Sequence, residues 1–133
     1  MSNSVLFRET GDDTKKIKLR RLLIVDDDAR LCRALSRRLE SSFSALHTAS
    51  TLEDADRWLT DERITHLICG QNLGEQVPKG TELVARWRRE HPSIKRVVLF
   101  TGDHMNDAVD RTGLDAIICK TTDFGVLTTA LGL

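Results

Sequence analysis

Short apolar runs that alternate with stretches of helical spacing constrain this chain more than any other feature. LLIV at 22–25, LICG at 67–70, VVLF at 97–100 and AIIC at 116–119 are too short for helices and rich in branched residues, and FSALHTA at 43–49 is a weaker fifth. Between and after them, apolar residues recur every three or four positions: Leu31, Leu35 and Leu39; Leu52, Ala55 and Leu59; Leu83, Val84 and Trp87; Met105, Ala108 and Val109; Phe124, Leu127 and Leu131. That spacing gathers each set on one face of a helix. Five strands alternating with five helices predict parallel pairing through right-handed crossovers, hence an α/β fold with an open sheet and helices on both faces. Asp28 is placed to cap the first helix, Ser50 with Glu53 reads as a capping box for the second, and Gly113 closes the fourth. Residues 1–17 are polar and aperiodic and read as an N-terminal tail, with one domain over 18–133.

The charge balance narrows the function classes. Twenty basic and twenty acidic residues cancel, so no overall field draws the chain to nucleic acid or to an anionic membrane. Two basic stretches, KKIKLRR at 15–21 and RWRR at 86–89, read as a solvated flank and a solvated helix face, with Trp87 in the core. No segment has the length of a membrane span and MSNSVLFRETGDD lacks the pattern of a secretory signal, so the expectation is a cytoplasmic protein. Cys32, Cys69 and Cys119 are odd in number and have no Cys-x-x-Cys spacing, which predicts buried, reduced thiols. His66 and Cys69, three apart on a strand, point to opposite faces and make no metal pair.

In open parallel sheets the chemistry sits outside the carboxyl ends of the strands. The first strand runs into Asp26 and Asp27, the fourth ends at Thr101 and the fifth at Lys120. An acidic pair, a hydroxyl and an ammonium on one rim suit an Mg²⁺-bound phosphoryl group. With LLIVDDDARLCRAL, LICGQNLG followed by KGTELVARW, VVLFTGD and DAIICK, the chain resembles the receiver domains of two-component response regulators over about residues 20–131. The resemblance implies a flavodoxin-like (βα)5 sheet with strand order 2-1-3-4-5. It also implies that the acidic pair binds Mg²⁺, that an aspartate ending the third strand takes phosphate from a histidine kinase, and that the hydroxyl and lysine read the modification. Carried over, these roles fall on Asp26 and Asp27, Thr101 and Lys120.

The phosphoacceptor position falls on Gly70, which has no side chain, and the amides of Gln71 and Asn72 cannot replace a carboxylate nucleophile. No Asp occurs between Arg63 and Gly102, and Glu75 lies five residues beyond Gly70. The family's switch aromatic corresponds to Ile117, the proline after its lysine to Thr121, and a proline common after its third strand to Gly74. These departures predict a pseudo-receiver: a signalling domain that is not an enzyme, acts by binding a protein partner and has no phosphorylation switch. Two acids without a third carboxylate should leave Mg²⁺ weakly held or absent, with Lys120 paired to Asp26 or Asp27. The resemblance points to the fourth and fifth helices as the partner face, with Val109, Arg111 and Leu127 as candidates, and leaves a homodimer open. One alternative is a conventional receiver whose acceptor is altered at Gly70. The other is a haloacid-dehalogenase-type phosphatase using Asp26 and Asp28. It lacks the acidic pair expected beyond the lysine, where only Asp123 follows, and it has Arg30 where a small or branched residue is expected.

Overall fold

The computed structural model describes residues 19–102, 110–120 and 123–133. β1 (Arg21–Val25), β2 (Ala45–Ala49), β3 (His66–Cys69), β4 (Arg96–Thr101) and β5 (Ala116–Cys119) pair in parallel, in the order β2-β1-β3-β4-β5. The connecting helices are α1 (Ala29–Leu39), α2 (Leu52–Asp61), α3 (Gly80–Glu90) and α4 (Phe124–Ala130), the last being the fifth of the predicted helical segments. The fourth, built on Met105, Ala108 and Val109, lies outside the described residues, as does Thr121.

Two apolar layers follow from the period-two alternation of the strands. Leu23, Val25, Leu67, Cys69 and Val97 face α2 and α3 through Ala55, Leu59, Leu83, Val84 and Trp87. Leu22, Ile24, Ile68, Val98, Phe100 and Ile118 face α1 and α4 through Cys32, Leu35, Leu39, Leu127 and Leu131. Helices therefore cover both faces, and β1 and β3 are buried along almost their whole length. That accounts for their unbroken apolar sequences. His66 meets Phe43 edge-on while Cys69 sits in the opposite layer.

Several expectations shift. The third strand ends at Cys69, so Gly70 stands just beyond it. α2 is capped by Thr51, whose Oγ1 accepts from the Asp54 amide at 3.2 Å, and not by Ser50. The extended backbone of Thr51 ends the loop one residue later than the Ser50–Glu53 pattern suggested. Asp28 does cap α1, taking the amides of Arg30 and Leu31. Gly113, with φ of +81°, turns the chain beside the Ala85 backbone of α3, where a side chain would crowd it. Cys32 and Cys69 are buried but Cys119 is only half-buried, because β5 is an edge strand. Burial and the neighbouring Asp26 push the Cys32 thiol up to about 11, and burial raises Cys69 further.

Leu127 overturns its place on the partner face: it is 1 % exposed and forms core between α4 and the sheet. In the RWRR stretch Trp87 is core, as expected, but Arg86 and Arg88 are less solvated than their charge suggested. Trp87 is fully buried and its Nε1 donates to Asp56 at 2.9 Å. Arg88, half-buried, donates to the Gly113 and Lys95 carbonyls and pairs with Asp115 at 2.9 Å, tying α3 to the start of β5.

Candidate functional site

The order β2-β1-β3 reverses the winding between β1 and β3, so the crevice of the fold opens at their carboxyl ends. The register Val25↔Cys69 sets Asp26 beside Gly70, whose amide donates to the Val25 carbonyl at 2.9 Å. The register Thr101↔Cys119 sets Thr101 beside Lys120, whose amide donates to the Thr101 carbonyl at 2.8 Å. Backbone pairing alone therefore brings Asp26, Gly70, Thr101 and Lys120 to one rim.

The two acids separate because consecutive residues leaving a strand point in opposite directions. Asp26 is 3 % exposed, whereas Asp27 faces solvent. Asp26 Oδ1 accepts from the Asp28 amide at 2.9 Å, and its Oδ2 lies 2.9 Å from Lys120 Nζ. The lysine ion pair thus falls on Asp26. Thr101 is buried at 3 % exposure, and Ile117 is half-buried opposite Leu99.

Gly70 decides the geometry. A Cβ built there would stand 2.6 Å from Asp26 Oδ2 and 3.3 Å from Asp26 Cγ. The Asp26 carboxylate therefore occupies the room that a side chain at position 70 would need. Asp26 reaches Lys120 across this notch. Glu75 is exposed, in a turn between Gly74 at φ +134° and Gln76 at φ +61°.

Three residues near the crevice have roles that sequence reasoning did not assign. Gln71 caps α3: its Oε1 accepts from the Thr81 amide at 2.9 Å, while the formal cap residue, Lys79, contributes no side-chain bond there. Lys79 Nζ instead donates to Asn72 Oδ1 at 2.6 Å. Gly80 lets α3 begin against the Gly70 carbonyl, since a Cβ at Gly80 would stand 2.1 Å from that oxygen. The usable signal was a helix opening Lys-Gly-Thr without a capping side chain, after a strand followed by two amides. Asp28 and Asp123, the acids that the phosphatase alternative would need, serve as caps of α1 and α4.

The profile of the response regulator receiver domain family matches residues 22–132. No curated protein sequence matches the chain. Solved structures share its fold. A CheY-like receiver domain protein of Methanospirillum hungatei aligns with TM-score 0.75 and 24 % identity, over 86 % of this chain and 92 % of that one. A Burkholderia pseudomallei response regulator, holding a phosphorylated aspartic acid, calcium and citrate, aligns with TM-score 0.73 and 22 % identity over 84 % of this chain and 66 % of its own. The Thermotoga maritima response regulator TrrA, in complex with Mg²⁺ and BeF, aligns with TM-score 0.73 and 19 % identity over 85 % of this chain and 96 % of its own.

Proposed function

Because this chain belongs to the response regulator receiver domain family, whose members are signalling domains of two-component systems, we propose that it is a pseudo-receiver, working through contacts with a protein partner and without phosphorylation on aspartate. One observation carries the reading: the Asp26 carboxylate fills the notch at Gly70 and is held there by Lys120 at 2.9 Å. An acyl phosphate needs a carboxylate at the acceptor position with open space in front of it. Here position 70 has no side chain, and the carboxylate beside it is buried and bonded through both oxygens. The phosphorylated aspartic acid of the Burkholderia protein is chemistry that Gly70 cannot carry.

The residues present do not fit Mg²⁺ well. Asp26 gives one oxygen to an ammonium and the other to a backbone amide, and Asp27 is turned to solvent. Among the described residues no group of three His, Cys, Asp or Glu side chains could hold a metal ion. Mg²⁺ prefers a near-octahedral set of oxygens and gives up water reluctantly, so displacing Lys120 for one buried carboxylate is unfavourable. Among the described residues no helix is long and apolar enough to cross a membrane. A partner meeting the last helix would touch the exposed Val126 and not Leu127.

The test is intact mass after incubation with Mg²⁺ and a small-molecule phosphodonor, for the unmodified chain and for Gly70→Asp. The unmodified chain should show no donor-dependent gain. Gly70→Asp should gain the adduct once Asp26 swings away from Lys120. A stable donor-dependent adduct on the unmodified chain would overturn the reading.

A further inference from the structure

The opposite edge of the sheet, at the amino ends of the strands, carries a groove lined by Leu19, Arg21, Arg63, Thr65, Ser93 and Lys95. Its polar floor is already satisfied: Ser93 Oγ donates to the Ile64 carbonyl at 2.8 Å, and Thr65 Oγ1 accepts from the Arg21 amide at 2.9 Å. Two of its three cations are not. Arg21 is committed to Glu62 at 3.0 Å, but Arg63 and Lys95 are exposed and form no ion pair among the described residues. Of the acids at the nearby end of α2, Glu62 is held by Arg21 and Asp61 is exposed.

Two further observations mark this edge. Arg20, Arg96 and Lys95 lie near the buried His66 imidazole and, after burial, add to holding it well below its ordinary range. Leu19, at 67 % exposed, is the most exposed large apolar side chain among the described residues, and it lines the same groove.

We propose that this groove docks an acidic segment of a partner protein, its carboxylates bound by Arg63 and Lys95 and an apolar residue seated against Leu19. Charge complementarity selects the partner, since unpaired cations beside one apolar side chain match an acidic peptide with an apolar anchor. Nucleic acid fits less well: no aromatic side chain lines the groove to stack a base. At the other end of the sheet Asp27 and Asp28 are exposed, so that rim offers an acidic segment like charges. The surface lies away from Gly70 and stands whether or not the phosphoryl site functions.

Fluorescence anisotropy of the full chain with a labelled synthetic peptide of glutamates and leucines tests it. Binding should weaken with added salt, and Arg63→Glu with Lys95→Glu should lower affinity at least about tenfold. The milder pair Arg63→Gln with Lys95→Gln should lose less, Leu19→Ser should weaken binding, and Arg33→Glu near the other rim should leave it within about twofold. Because Arg63 and Lys95 are exposed, circular dichroism should be unchanged. Unchanged affinity in the charge-reversed pair would overturn the proposal, as would tighter binding of a single-stranded oligonucleotide or of anionic phospholipid vesicles.

Discussion

Gly70 acts through the volume it leaves open. Without a Cβ there, Asp26 can lie across the end of β3 and place Oδ2 2.9 Å from Lys120. Gly70→Ala should force the carboxylate off the lysine and destabilise the fold by about 1–3 kcal/mol. In an Asp26→Ala background the same substitution meets nothing at that oxygen and should cost far less. A double-mutant cycle read by urea denaturation checks this, and additive effects would show that the Asp26 position does not depend on Gly70. That position 70 offers no side chain was legible in the sequence, because glycine cannot be a nucleophile. The occupation of its space was not, since it depends on the side-chain direction of a residue on another strand.

At the scale of elements, α3 starts where it does because a glycine and an amide meet it. Gly80 abuts the Gly70 carbonyl, and Gln71 supplies the cap that Lys79 does not. Gln71→Ala should therefore cost about 1 kcal/mol, in the range of a lost N-cap. Gly80→Ala would drive a methyl into a backbone oxygen that cannot rotate away, and it should cost at least about 3 kcal/mol, more than Gly70→Ala. Thermal denaturation of the two glycine variants side by side decides the order, and equal losses would contradict the rigid contact. Apolar spacing located this helix well, but its capping rests on a contact ten residues apart in sequence, between Gln71 and Thr81. Local patterns such as Ser50 with Glu53 are equally blind to such choices, which is why Thr51 caps α2 instead.

For the whole molecule, the parallel sheet buries a histidine near the cations at the amino ends of its strands. His66 is 8 % exposed, its Nδ1 2.8 Å from Thr65 Oγ1, and its pKa is lowered from 6.5 to about 4, chiefly by burial and then by Arg20, with the Leu131 backbone acting the other way. The folded chain thus binds this proton less readily than the unfolded chain. Between pH 6.5 and about 4 the unfolded state holds a proton that the folded state lacks, so stability falls as pH drops through that window and is unaffected by this group above it. The loss should reach about 3 kcal/mol at most. Denaturant titrations across that range should show a steeper decline for the unmodified chain than for His66→Asn, and identical slopes would mean that His66 is not held neutral by the fold.

The sequence by itself determined the alternation of strands and helices, the apolar face of each helix and the absence of a side chain at position 70. Each of these follows from local periodicity or from what one residue type can do chemically. Only the tertiary structure decided that Asp26 and not Asp27 meets Lys120, that Gln71 caps α3, that Leu127 is core and that Arg88 anchors β5. Each depends on distances between segments remote in the chain, and those are set when the sheet pairs and the helices close over it.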